Sequence, residues 1–393
     1  MTYKNFKNLQ LSYLGYGCMR LPTDEKTGKI DVEHTEKCID YAYKNGVNYF
    51  DAAFFYHAGE SERVIGKLLS KYPRDTWYLA NKFPGNFMKV VDGKLKMNVE
   101  SFGMENVTFN TPKEVFEYQL NNCGVDYFDF YLLHNVSEST YDLYTDENLG
   151  IVNYLLEEKK AGRIKHLGMS THGRYETIDS FLNKYDCIEF AMMQLNYLDW
   201  YLQEAGKKFE VLVKHGIPVF VMEPLRGGLL AAPGEETEII LKTLRPNDSL
   251  VSWAFRYLQS FPEIVVVISG MSALDQTKEN IELFNKPEPM SFSEKLILQN
   301  IVEGMASFVP CTSCAYCCGV CPQKLNIPML IATYNEAAHE VSWSIHDILG
   351  SLSDDKKPQA CTACGSCSPL CPQNIDIPDI FTKFNELLKA NPE

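Results

Sequence analysis

Eight cysteines near the end of this 393-residue chain stand in two copies of one spacing, C-x2-C-x2-C-x3-C-P. The first copy is Cys311, Cys314, Cys317 and Cys321, followed by Pro322; the second is Cys361, Cys364, Cys367 and Cys371, followed by Pro372. Thiolates three residues apart can each cap a separate corner of an iron–sulfur cubane as the chain turns around it. The fourth, held before proline, points elsewhere, and where two such runs occur it ligates the other run's cluster. The spacing therefore predicts one [4Fe–4S] cluster on Cys311, Cys314, Cys317 and Cys371, and a second on Cys361, Cys364, Cys367 and Cys321. Structural zinc prefers paired C-x2-C knuckles, in which a third cysteine has no place. A disulfide framework needs an oxidising compartment, and the opening MTYKNFKNLQ lacks the apolar stretch of a secretory signal. Cys318 is the ambiguous thiol: spacing makes it spare, but it replaces Cys317 if the turn slips.

A second set of residues could move a proton. Asp51, Tyr56, Lys82 and His134 stand at or just beyond the ends of the apolar runs VNYFDAA, TWYLANKFP and YFDFYLLHNV. A phenol with its ordinary pKa near ~10 is a poor acid or base at neutral pH. A lysine ammonium beside it favours the phenolate and is expected to lower that pKa, while an aspartate holds the lysine charged and in place. A histidine on the other side can hydrogen-bond a substrate oxygen. Together these groups describe proton delivery to a carbonyl that is receiving a hydride.

Residues so far apart in sequence need a scaffold that gathers strand ends. Eight strand candidates run along the chain: YLGYGCMRLP, VNYFDAA, TWYLANKFP, YFDFYLLHNV, IKHLGMSTH, IEFAMMQLNY, IPVFVMEPL and IVVVISG. Amphipathic helical stretches lie between them, such as HTEKCIDYAYKNG, PKEVFEYQLNNCG and KKFEVLVKHG, several ending in the glycine that follows a helix C-terminus. Eight β-α pairs predict a closed (β/α)8 barrel, an α/β TIM barrel over residues 1–290, with function at the carboxyl ends of its strands. No G-x-G-x-x-G follows any strand candidate, which argues against a doubly wound dinucleotide sheet. The long segment from Gly85 to Val107 after the third strand reads as a lid or substrate wall; the alternative is a surface hairpin around Asp92-Gly93.

Residues 291–393 read as a small, mainly helical ferredoxin-like domain. The segment KPEPMSF breaks the barrel pattern, and the helix SEKLILQNIVEGMA leads into the first cysteine run. Each run is followed by a helix opening on Ile-Pro, IPMLIATYNEAAH and IPDIFTKFNELLKA, as in an internal duplication. Hydrophobic content of 45% with 22% charged residues suits a folded soluble protein. No apolar run reaches the ~20 residues of a membrane span. The net charge of −14, from 37 basic and 51 acidic residues, argues against nucleic acid as a partner and suits a cationic redox partner. Thirteen cysteines without a signal peptide point to the reducing cytoplasm.

The chain resembles the aldo-keto reductase family. The residues that carry the likeness are FDAAFFYHAGESERVIG (50–66), LANKF with Lys82, YLLHNV with His134, LGMSTHG with Ser170, MQLNY with Gln194, EPLRGGLL from Glu223, and ISGMSALDQTKEN (268–280). The cysteine runs match the iron–sulfur branch of that family. The resemblance implies NAD(P)H-dependent reduction of an aldehyde or ketone, with Tyr56 as general acid, Lys82 and Asp51 tuning it, and His134 positioning the carbonyl. It also implies that Ser170, Thr171 and Gln194 meet the nicotinamide, that Leu225 borders the cofactor, that Ser269, Gly270 and Met271 hold its phosphates, and that Gln276, Glu279 and Asn280 hold its adenosine end. Thr171 stands where family members typically carry asparagine. Gly270 and Gln276 are uncharged where a basic residue commonly meets the 2′-phosphate of NADPH, so the preference leans away from strict NADPH, although Arg226 is close enough in sequence to compensate.

Two functions share these features. In the first, the chain is a carbonyl reductase whose clusters serve structure or accept electrons secondarily. In the alternative, it is an electron-transfer protein that couples a barrel-bound substrate or flavin to ferredoxin-type partners. Nicotinamide moves two electrons at once and each cluster one, so direct exchange between them needs an intermediary.

Overall fold

The computed structural model describes residues 1–24, 26–97, 109–305, 309, 311, 315, 317–371 and 373–392. They group into two compact units, residues 1–196 with 208–290, and residues 197–207 with 291–393.

The first unit is a closed barrel of eight parallel strands. The chain enters through a short antiparallel hairpin, β1 (Tyr3–Phe6) and β2 (Leu9–Ser12), which the sequence reading did not foresee because both strands are short and largely polar. The barrel strands follow as β3 (Leu14–Gly17), β4 (Tyr49–Asp51) and β5 (Tyr78–Phe83). A second hairpin, β6 (Met88–Val91) and β7 (Lys94–Met97), interrupts the series. It is closed by β8 (Phe128–Leu133), β9 (Ile164–Thr171), β10 (Ala191–Gln194), β11 (Val219–Met222) and β12 (Ile264–Gly270), with β12 pairing to β3. Each of the eight strand candidates contains one barrel strand. The β6–β7 turn is the hairpin at Asp92-Gly93 that stood as the alternative to a lid or substrate wall, both residues with positive φ (52° and 70°), the geometry that matches strand twist. The remainder of the segment expected to form a lid, from residue 98, lies outside the described residues.

Among the described residues ten α-helices accompany these strands: α1 (Val32–Lys44), α2 (Glu60–Leu69), α3 (Pro112–Cys123), α4 (Tyr141–Thr145), α5 (Ile151–Lys160), α6 (Tyr175–Lys184), α8 (Ala205–Lys214), α9 (Glu235–Leu244), α10 (Leu250–Gln259) and α11 (Leu274–Asn285); α7 (Asp199–Leu202) falls in the second unit, as do the first residues of α8. Their ends carry the expected capping chemistry. Thr111 accepts from the Glu114 N–H ahead of Pro112 at the start of α3, and Gly124 (φ 64°) ends it. Inside the barrel, Tyr49, Phe130, Phe190 and Phe220 pack together, and Phe6 of the entry hairpin joins them with its ring 5.5 to 5.9 Å from the three phenylalanines.

The second unit adds α12 (Phe292–Met305), α13 (Ile327–His339), α14 (Trp343–Gly350) and α15 (Ile377–Ala390). Of these α14 was not anticipated, being only eight residues long. Its core gathers Ile327, Leu330, Ile331, Ile345, Ile377, Phe381 and Phe384 around Cys317 and Cys367. The duplication is visible residue by residue at an offset of fifty. Asn326 and Asp376 cap α13 and α15 from the same position, and Cys317 and Cys367 are both 7% exposed. No helix among the described residues is long and apolar enough to cross a membrane.

Candidate active site

Asp51 is the last residue of β4, Lys82 the penultimate residue of β5, and His134 follows β8, so the barrel brings all three to the carboxyl ends of neighbouring strands. Tyr56 arrives through the turn between β4 and α2. That turn needs three consecutive residues with positive φ, His57 (51°), Ala58 (52°) and Gly59 (84°), and the N–H groups of Gly59 and Ser61 both donate to the Tyr56 carbonyl. Lys82 Nζ donates to Asp51 Oδ2 at 2.7 Å, to the Ala52 carbonyl at 3.0 Å and to the Tyr56 hydroxyl oxygen at 3.1 Å. An ammonium has three donors and no acceptor; here each has its partner. Lys82 is 1% exposed, Asp51 3% and Tyr56 9%.

The electrostatics differ from the expectation in one respect. Burial pushes the Tyr56 phenol up to about 12; the Lys82 ammonium opposes this but does not prevail. The lysine restrains the rise rather than lowering the pKa below its ordinary value, because the site is dry as well as charged. Burial works against the Lys82 ammonium too, yet Asp51 and Tyr56 outweigh it and its pKa is raised. Burial, then the Lys82 charge, then His172 hold His134 neutral, well below the usual histidine range. The His134 Nδ1 is covered and has no hydrogen-bond partner, and its ring stacks on Phe55 at 5.2 Å and 16°. Phe55 also lies 5.2 Å from the Tyr56 ring and 4.3 Å from Phe87, so Tyr56 and His134 border an aromatic wall.

The residues expected at a nucleotide lie on the strands and loops of the same end. Ser170 and Thr171 close β9: Ser170 Oγ accepts from the Asn135 N–H (2.9 Å), while the Thr171 hydroxyl donates to the Val136 carbonyl and accepts from the Gly173 N–H. Thr171 thus ties two loops together, and its only donor is engaged with backbone. Gln194 ends β10, and the Leu225 carbonyl accepts from the N–H groups of Gly228 and Leu230. Ser269 and Gly270 end β12, Asn280 Nδ2 donates to Ser269 Oγ, and the Met271 carbonyl accepts from Tyr16. Gln276 Oε1 accepts from the Ser272 N–H and hydroxyl ahead of α11, and Glu279 lies further along that helix, partly exposed. Arg226 is buried. The sequence reading overlooked Arg20, which it counted within the first strand candidate. The Arg20 guanidinium pairs with Glu223 at 3.1 Å, and its side chain packs against both Gly227 and Gly270, where a methyl group would touch it at 3.4 to 3.5 Å. A cation therefore does reach this loop cluster, from the opposite end of the sequence.

In the second unit, the four thiols assigned to the second cluster, Cys321, Cys361, Cys364 and Cys367, line one cavity with Leu325, Ile327 and Phe381. Cys321 reaches it from the other run. Among the described residues no three cysteine, histidine or acidic side chains gather as they would around a single ion; a cubane asks for a wider spread, since each thiolate caps a different iron. Of the first set, Cys314 lies outside the described residues. Burial, with Cys318 and Cys311 close by, pushes the Cys317 thiol up to about 12. Ser368 occupies the place of Cys318 in the second run, and the N–H groups of Cys321 and Cys371 donate to the Cys318 and Ser368 carbonyls respectively.

Residues 13–294 match the Aldo/keto reductase family, and residues 310–375 match the 4Fe-4S dicluster domain. An uncharacterised oxidoreductase of Bacillus subtilis is 25% identical over 299 residues, covering 71% of this chain and 89% of that protein. The NADH-specific methylglyoxal reductase of Escherichia coli is 25% identical over 295 residues, covering 63% and 82% respectively. The holo structure of an aldo-keto reductase from Bacillus halodurans superposes with a TM-score of 0.58 at 26% identity, covering 77% of this chain and 96% of its own.

Proposed function

The chain belongs to the aldo/keto reductase family and carries a 4Fe-4S dicluster domain, and from that premise we propose that its barrel reduces the carbonyl of a small aldehyde or ketone with Tyr56 as the proton donor. The observation that carries this reading is the fully partnered Lys82 ammonium, one of whose bonds ends on the Tyr56 oxygen.

NADH or NADPH, when bound, would supply the hydride that the carbonyl carbon accepts. As negative charge grows on the carbonyl oxygen, Tyr56 gives up its proton to that oxygen, and the Lys82 ammonium stabilises the phenolate left behind. Asp51 keeps the ammonium in place. His134, neutral, hydrogen-bonds the carbonyl oxygen and sets its orientation, while the aromatic wall of Phe55 and Phe87 excludes water. The nucleotide phosphates fit the turn at Ser269, Gly270 and Met271, where the N-terminus of α11 and Arg20 supply positive charge. Ser170 and Gln194 would meet the nicotinamide, with Glu279 and Asn280 at the adenosine end. No residue from 269 to 276 is basic, so we expect NADH to bind at least as well as NADPH, and the NADH-specific Escherichia coli relative supports that choice. The two sets of four cysteines hold one [4Fe–4S] cluster each, and the clusters supply one-electron carriers or structural cross-links.

The test is anaerobic turnover of deuterated NADH with reactive aldehydes. The reading requires alcohol carrying the deuterium in proportion to the NADH consumed. The alternative, electron transfer through the clusters to a protein partner, draws support from the exposed Cys364 thiol. It predicts NADH oxidation with bleached cluster absorbance and no alcohol.

A further inference from the structure

Close enough to Lys82 to feel its charge lies a second buried carboxylate to which the chemistry above gives no part. Glu62 on α2 is fully buried. Its Oε1 accepts from Asn81 Nδ2 (2.8 Å) and Gln119 Nε2 (2.9 Å), and its Oε2 accepts from Asn122 Nδ2 (2.8 Å). Amide groups can be placed either way round, but here each is fixed independently by a backbone group. Asn81 Oδ1 accepts the Lys82 N–H at 2.8 Å, Gln119 Nε2 donates to the Lys82 carbonyl at 3.1 Å, and Asn122 Nδ2 donates to the Gly59 carbonyl at 3.3 Å. All three amides must then turn N–H groups toward Glu62, and no acceptor stands among them for a carboxyl proton. Burial raises the Glu62 carboxyl above its ordinary range, and these three donors and the Lys82 charge oppose the rise without reversing it.

The helices are built for this arrangement. One turn along α2 from Glu62, Gly66 lies so close to α3 that a methyl group would fall 1.9 Å from the Cys123 carbonyl oxygen. That approach lets Gln119 and Asn122 of α3 reach a carboxylate on α2. Tyr131 of β8 donates to Gln119 Oε1 and completes the network.

We propose that Glu62 is a positioning residue: an ionised carboxylate that, through Asn81 and Gln119, grips the peptide of Lys82 at both its N–H and its carbonyl and so aims the ammonium at Tyr56. The inference rests on the Tyr56 reading, and its test separates the two. Wild type, Tyr56→Phe, Glu62→Gln and Glu62→Asp are compared with NADH and 4-nitrobenzaldehyde, with folding checked by circular dichroism. Glu62→Gln keeps the shape but turns a donor toward donors. It should lower kcat by about tenfold or more while leaving the aldehyde KM and the NADH Kd within about twofold, since a misaimed catalytic group costs rate rather than binding. Glu62→Asp keeps the charge and should retain more kcat than Glu62→Gln. A folded Glu62→Gln with wild-type kcat overturns the proposal, as does a loss confined to KM, or a Glu62→Asp no better than Glu62→Gln. If Glu62→Gln does not fold, Gln119→Met decides: it removes the bond to the Lys82 carbonyl and should show the same split, and unchanged kcat overturns the proposal. An undiminished Tyr56→Phe, or a wild type without aldehyde turnover, removes the underlying reading and this inference with it.

Discussion

Tyr56 sits where two effects oppose each other. Its burial disfavours the phenolate and the Lys82 ammonium favours it, and the balance leaves the phenol protonated up to about 12. For a group that must give a proton away in the reductive direction, that is the useful side of the balance. Lys82 is held charged and His134 is held neutral, so none of the three changes protonation near neutrality. The rate of reduction should therefore be flat from about pH 6 to about pH 9; a limb within that range would assign the proton to another group. Arg20 bears on the nucleotide instead. It packs against Gly227 and Gly270, and Gly270 belongs both to the expected phosphate turn and to the position expected near a 2′-phosphate, so Arg20→Gln should weaken both NADH and NADPH. One lost charge-assisted bond, ~1.5–3 kcal/mol, is about tenfold or more in Kd, measurable by fluorescence titration. The tetrad was legible in the sequence because its residue types recur at strand ends. The direction of the Tyr56 shift was not, because depth of burial is a property of the closed barrel. Arg20 was hidden inside an apolar run, and Glu62 inside a helical stretch whose neighbours 19 and 57 residues away are invisible without the fold.

The strands were readable as elements because a buried parallel strand is a short, nearly continuous apolar run. The entry hairpin and α14 lacked that signature. Close helix packing was equally silent: nothing in ESERVIG says that its glycine touches another helix. Gly66→Ala should destabilise the barrel by ~1–3 kcal/mol or more, since backbone must move to admit the methyl group; denaturant unfolding reads the loss. In the second unit the duplication favours one of the two registers. Ser368 stands where the first run has Cys318, while Cys317 and Cys367 are equally buried at equivalent positions. Cys318→Ser should leave about eight irons per chain, the number two cubanes require, and Cys317→Ser should lower it. Iron analysis after anaerobic purification gives the answer, and the opposite pattern would place the first run in the slipped register.

As a whole, the molecule joins two kinds of electron chemistry in one chain. The barrel has a dry, aromatic-walled site with the Tyr56 hydroxyl and the Lys82 ammonium at its centre, which suits the two-electron transfer to carbon proposed for it. The cysteine-rich unit gathers its core from two similar halves around thiols. Both were legible from the sequence because both depend on residue spacing, whereas the grouping of residues 197–207 with the cysteine-rich unit depends on tertiary contacts alone. Every role proposed for the barrel depends on hydride-coupled proton delivery through Tyr56. Single-turnover reduction of an aldehyde by enzyme-bound NADH, followed in wild type and in Tyr56→Phe, measures that step free of binding and product release. The account predicts that hydride transfer slows by about a hundredfold or more in the phenylalanine variant while NADH affinity stays as it was. A Tyr56→Phe enzyme that transfers hydride at the wild-type rate would contradict it.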